Sequence, residues 1–407
     1  MSRSVARLFC FTALLSLFPT LTLLLTMTPA LQAQAVAAQE TPSTAESAAT
    51  LPAAYVYVLS NPASNQVEIN AYSAGSDGKL SVVPGSPFST NLGYAGSMAV
   101  NKRYLFATNG IDIYSYSVEW DGALQQVALI NAQGFNQSNC GGPMALFLDR
   151  TGATLYDLDI YSDCANNGYQ FFSTDNYTGQ LDYAGVTKAV SPVFGTPLSF
   201  LGNNKYAYGA SCYHWSQEIF GFLRDSNGAL TDLNINPSVP AAQAGEFYCP
   251  GLAAADGANH VAVPMQAFNS STLQPVGLGQ LAAYSADTSG KLTTGSTYSN
   301  MPKMAVGSVT GISMSPSGKL LAVSGTGGLQ VFHFNGGNAI THYTGLLTTD
   351  PIDQLDQIGW DNDNHLYAIS QSAGKLFAFT ITPTGYHQAA GSPYSITSPV
   401  HVTVLPK

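Results

Sequence analysis

The segment ASCYHWSQE, residues 210–218, brings Cys212, Tyr213, His214, Trp215 and Glu218 into one short stretch, and GEFYCPG, residues 245–251, adds Glu246, Tyr248 and Cys249. An imidazole beside a carboxylate is a general base. His214 with Glu218 or Glu246 can take the proton of a water that attacks an activated carbonyl. The rings of Tyr213, Trp215 and Tyr248 offer flat faces against which a carbohydrate can stack. A cross-linked loop whose rings pack on each other needs the same residue types, so catalysis, ligand contact and plain packing all remain open.

Four cysteines lie beyond the first 37 residues: Cys140, Cys164, Cys212 and Cys249. An even number of cysteines in an exported chain points to disulfides. The expected pairing is Cys140 with Cys164 and Cys212 with Cys249, the other two connectivities remaining open. No C-x-x-C spacing and no histidine at ligand spacing around Cys140 or Cys164 accompanies them, so no metal is expected there. The aspartates of YDLDIYSDC, Asp157, Asp159 and Asp163, alternate along one strand face and could hold a cation, although no EF-hand loop is present.

These residues need a scaffold, and the scaffold is repetitive. EINAYSAGSDGKLSVVPGSPFS, residues 68–89, returns as LFAFTITPTGYHQAAGSPYS, residues 376–395. The shared skeleton is a strand ending in an aromatic residue, a glycine six positions later and an apolar residue two further on. It appears as Tyr72/Gly78/Leu80, Tyr116/Gly122/Leu124, Phe222/Gly228/Leu230, Tyr284/Gly290/Leu292 and Phe379/Gly385/His387. Two copies are altered: Phe172 reaches Gly179 in seven positions, and Phe332 is followed by Asn338, which tolerates a left-handed turn better than most residues. A second hairpin precedes each aromatic, as in NKRYLFAT, DGANHVAVP and DNDNHLYAI. Units of about 50 residues with four strands each predict an all-β protein, a seven-bladed β-propeller spanning residues 54–407. The first unit lacks its first strand, and PVHVTVLPK, residues 399–407, supplies it and closes the ring. The composition agrees, with 22 Tyr, 39 Gly and only 9% charged residues.

Propeller strands alternate in direction, so the loops between blades and the b-to-c loops share one face, while the a-to-b and c-to-d turns share the other. The candidate residues and all four cysteines fall on the first face, with Lys303 and Asp353 as further ligand contacts. Arg103, Arg150 and Arg224 fall on the second. A phosphosugar would require arginine on the first face, which argues against such a substrate.

The segment YVYVLSNPASNQVEINAYSAGSDGKLSVVPGSPF, together with the seven units, resembles the lactonase-type seven-bladed propellers, which include 6-phosphogluconolactonase-like and muconate-lactonising enzymes. The resemblance implies lactone chemistry, with a histidine-rich segment entering an early blade and a glutamate and an arginine from other blades. The corresponding segment here, NLGYAGSMAV, residues 91–100, contains no histidine.

Residues 1–37 combine two arginines, a long apolar run and A-x-A patterns ending at Ala35 and Ala37, as an export signal does. Residues 38–53 read as a flexible linker. The chain carries 24 acidic and 14 basic side chains, which disfavours nucleic acid and anionic lipid as partners. The expectation is a secreted or periplasmic monomer without cofactor, serving as a binding or scaffold module for a carbohydrate or protein. The alternative is a hydrolase that opens a non-phosphorylated lactone.

Overall fold

The repeated hairpins fold into seven antiparallel sheets arranged as a seven-bladed β-propeller. The computed structural model describes residues 51–133, 143–159, 168–188, 196–213, 215–347 and 353–407. No α-helix occurs among the described residues. Blade 1 runs, from the innermost strand a outward to d, Pro399–Pro406, Ala54–Ala63, Gln66–Ala74 and Leu80–Val82. The closing strand is therefore the one expected, paired antiparallel with Ala54–Ala63. Blades 4 and 5, which carry the candidate residues, are built from Ser199–Phe200, Tyr206–Tyr213, Ser216–Arg224 and Leu230–Asp232, and from Glu246–Pro250, His260–Asn269, Gln280–Ala286 and Leu292–Thr293.

The two similar stretches that revealed the repeat end in the same conformation. Ser86–Pro87 and Ser392–Pro393 are both cis, and Phe88–Ser89 and Tyr394–Ser395 add a short extra strand to strand c of blades 1 and 7. In each, a serine hydroxyl accepts the amide of an alanine on that strand: Ser86 from Ala71 and Ser392 from Ala378.

Because side chains alternate across a strand, each blade buries both faces against its neighbours. Tyr55, Tyr57 and Leu59 pack towards blade 2, whereas Val56 and Val58 pack towards blade 7. The described core is accordingly divided into packets, each shared by two adjacent blades.

The skeleton glycines explain how neighbours lock. Gly122 is left-handed, and a Cβ there would lie 2.5 Å from the ring of Tyr55 in the preceding blade. Tyr104 covers Gly179 and Tyr206 covers Gly290 in the same way. A tyrosine two residues after the covering side chain donates to the glycine carbonyl: Tyr57 to Gly122, Tyr208 to Gly290 and, in blade 3, where Thr154 covers Gly228, Tyr156 to Gly228. In blades 5 and 7 the covering ring is an imidazole. His260 lies over Gly336 and His365 over Gly78. Each histidine is anchored by an aspartate four residues earlier, His260 to Asp256 at 2.7 Å and His365 to Asp361 at 2.6 Å.

Two skeleton positions depart from expectation. In blade 6 the left-handed residue is Gly336, not Asn338. In blade 7 Thr382 pairs directly with Gly385, so the turn contains only two residues and Gly385 lies in the following strand without a left-handed φ.

Candidate functional site

Strands b and c of blade 4 are joined by a two-residue hairpin, Tyr213 pairing with Ser216, and Trp215 occupies a left-handed conformation at φ 66°. A β-turn of that kind normally calls for glycine or asparagine, so an indole there is held at a conformational cost. The turn projects Trp215 towards blade 5, where its ring meets Phe268 edge-on at 5.2 Å and Phe247 at 6.0 Å. Phe247 and Phe268 are register partners on strands a and b of blade 5. Trp215 remains 44% exposed, so one side of this three-ring wall faces solvent.

A disulfide fixes the wall. Cys212 on strand b of blade 4 is bonded to Cys249 on strand a of blade 5, with Cα atoms 5.2 Å apart, as one half of the expected pairing requires. Cys140 and Cys164 lie outside the described residues, as does His214. The backbone of Tyr213 ends the strand before the turn.

The remaining candidates have different surroundings. Glu218 is half-buried and accepts the Ser216 hydroxyl at 2.7 Å. Glu246 opens strand a of blade 5 opposite Asn269 and is also half-buried. Tyr248 is fully buried and donates to Gln280, whose amide in turn holds the Tyr298 and Met301 carbonyls of the loop leaving the blade. Its ring is thus part of the core behind the wall and presents no face to a ligand, contrary to expectation; burial pushes its phenol up to about 12. Lys303 is exposed on that loop, bridged to Gln280. Asp353 belongs to the approach to blade 7, where it is buried and paired with Lys375 at 3.2 Å, so its carboxylate is already occupied.

Beside the wall, between blades 5 and 6, lies a cleft of about 290 Å³. Cys249 and Phe268 line it on the wall side, Met265 and Gln266 within strand b, and Met304 and Ser308 on the loop to blade 6. Its volume lies near the lower limit of small-molecule sites, about 300 Å³. The polar lining side chains are Gln266 and Ser308, so the cleft suits a neutral ligand with an apolar side. The sequence carried little signal for it, because its lining comes from four separate segments with no common motif.

All three described arginines are on the opposite face. Arg150 donates to the carbonyls of Phe200, Ala255 and Asp256, Arg224 pairs with Asp149 at 2.8 Å, and Arg103 donates to the Asn176 carbonyl. One imidazole had escaped notice in the sequence. His401, in the innermost strand of blade 1, has no hydrogen-bond partner at Nδ1, and burial pushes it down to about 4, so it is neutral at pH 7. A histidine inside the alternating run PVHVTV was the available clue.

The fold is that of a seven-bladed β-propeller with a small cleft between blades 5 and 6. The chain matches no protein-family model and no curated protein sequence. It superposes on the periplasmic gluconolactonase of Pseudomonas aeruginosa with a TM-score of 0.58 at 14% identity, covering 86% of this chain and 99% of that one. A putative 6-phosphogluconolactonase from Bacteroides fragilis gives 0.57 at 12% identity, covering 90% and 100%. A second, from Bacteroides uniformis, gives 0.56 at 12% identity, covering 86% and 99%. At these identities the likeness concerns the fold.

Proposed function

We propose that this propeller opens a non-phosphorylated sugar lactone, or a related lactone, outside the cytoplasm. The observation that carries the reading is the cleft beside the Trp215 wall, lined by apolar groups with an amide and a hydroxyl, on a face with no arginine among the described residues. A neutral ring fits it, and a phosphorylated one lacks its counter-charge. The fold shared with a protein described as a periplasmic gluconolactonase gives lactone chemistry a precedent. The disulfide Cys212–Cys249 and the signal-like residues 1–37 support export.

In this reading the base is His214 with Glu218 or Glu246, and Trp215, Tyr213 and Lys303 border the ligand. Water adds to the lactone carbonyl carbon as the imidazole takes its proton. The ring C–O bond then breaks, and the proton passes to the leaving alkoxide, yielding a hydroxy acid.

A second reading is binding of a carbohydrate or protein without turnover. It is favoured because the Glu218 carboxylate is engaged by Ser216 and no titratable side chain lines the cleft among the described residues. A pH-indicator assay of the purified protein with glucono-δ-lactone, simple γ- and δ-lactones and 6-phosphogluconolactone separates the two. Turnover of the neutral lactones that is lost in His214→Ala is expected. Turnover confined to the phosphorylated substrate would overturn the proposal. Stabilisation against heat by a neutral lactone without hydrolysis would select the binding reading.

A further inference from the structure

On the face opposite the cleft, between blades 2 and 3, is a second cavity, of about 320 Å³. Its walls are the a-to-b turns of both blades, Asn101 to Arg103 and Thr151 to Gly152, and the c-to-d turn of blade 3, Asn176 and Tyr177. The turns are well fixed. Asn101 donates its amide to the Gly152 carbonyl and accepts the backbone amides of Arg103 and Tyr104. Arg103 reaches across to the Asn176 carbonyl at 3.2 Å.

Two cations border this cavity in a protein with an excess of acidic groups, and no acidic residue lines it. Neither Lys102 nor Arg103 forms an ion pair with a described residue, unlike Arg224 with Asp149 and Lys375 with Asp353. The carboxylates flanking these turns in sequence are engaged elsewhere. Asp149 is paired with Arg224 and accepts the Thr151 hydroxyl, and Asp175 accepts the amides of Tyr177 and Thr178, which hold it below the usual carboxylate range. Tyr177 is 88% exposed, although most tyrosines of the fold are buried between blades. A free guanidinium edge, an ammonium and an exposed flat ring at one cavity match an anion carried on a sugar ring: Arg103 chelates the carboxylate, Lys102 adds point charge and Tyr177 takes the apolar face of the ring.

From this juxtaposition we infer that the blade 2–3 cavity is a second binding site, specific for a carboxylated sugar ring such as a uronic acid. It is independent of the lactone reading, because it uses neither the same face nor the same residues. The test is calorimetric titration of the purified protein with D-glucuronate, using D-glucose, D-gluconate, acetate and inorganic phosphate as comparators. Saturable binding of glucuronate is expected, weakened about tenfold or more in Arg103→Ala and also reduced in Lys102→Ala and Tyr177→Ala. Melting curves should stay unchanged, because these three side chains are exposed. Acetate or phosphate binding as tightly as glucuronate would reduce the cavity to an anion site and overturn the sugar assignment. Gluconate matching glucuronate would overturn the stacking role of Tyr177. Absence of saturable binding, or equal affinity in all variants, would overturn the site.

Discussion

Gly122 and Gly385 occupy the same place in the repeat, six residues after the strand aromatic, yet the structure assigns them opposite sensitivities. At Gly122 the backbone is left-handed, φ 89°, and an added methyl would sit 2.5 Å from Cδ1 and Cε1 of Tyr55. The ring cannot swing away easily: it is buried at the interface of blades 1 and 2, and its hydroxyl donates to the Trp120 carbonyl at 2.7 Å. A side chain in the left-handed region costs about 1 to 2 kcal/mol, and forcing an extra methyl into a packed contact typically another 1 to 3. Gly122→Ala should therefore lose roughly 2 to 5 kcal/mol. Gly385 has no left-handed φ and nothing within 4 Å of a built Cβ, so Gly385→Ala should stay within about 0.5 kcal/mol of the parent. Urea denaturation followed by tryptophan fluorescence measures both. Equal losses in the two variants, or a neutral Gly122→Ala, would refute the account of how blades lock.

Two further outcomes follow from the same structure. Replacing Cys212 and Cys249 by serine releases a cross-link between residues 37 apart, which on chain-entropy grounds costs at most about 4 kcal/mol; an unchanged melting temperature would show that the bridge adds nothing to the aromatic wall. Stability against pH should respond to two histidines with opposite sign. Burial acts to lower His365, but the Asp361 carboxylate outweighs it and holds the imidazole above 6.5, so its contribution is complete below 6.5 and is lost as pH rises through the raised value. His401 is pushed down by burial to about 4, so the fold loses stability as pH falls from 6.5 towards 4, where the unfolded chain takes up the proton first. His365→Gln should flatten the alkaline limb and His401→Gln the acid limb of a denaturation midpoint plotted against pH; either variant leaving its limb unaltered would contradict the assignment.

Seven blades and the closing strand were legible because each blade must bury two faces against similar neighbours, which imprints one pattern seven times. The disulfide Cys212–Cys249 was legible because both cysteines fall on the same end of adjacent blades. The role of His260 and His365 was hidden, although DGANH and DNDNH show the same aspartate four residues ahead. What the spacing could not reveal is that these imidazoles replace the tyrosines of other blades over a neighbouring glycine, a relation between residues far apart in the chain. Tyr248 was misread for a similar reason: its tie to Gln280 depends on three-dimensional packing, and a tyrosine between Phe247 and Cys249 looks the same in sequence whether it points in or out. Asp353 looked like a ligand contact because Lys375, its partner, lies 22 residues away.

The clasp that closes the ring also dictates an order of events. Strand Ala54–Ala63 emerges early in synthesis, but its partner Pro399–Pro406 emerges only after six other blades have been made. The amide of Leu80 likewise waits for the hydroxyl of Tyr394, 314 residues further on. Until then blade 1 presents an unpaired strand edge of largely apolar sequence, the kind of surface on which other chains can nucleate β-structure. A chain truncated before residue 399 would keep that edge permanently, so ribosome stalling or trimming by proteases near this end would convert a closed ring into an aggregation-prone one.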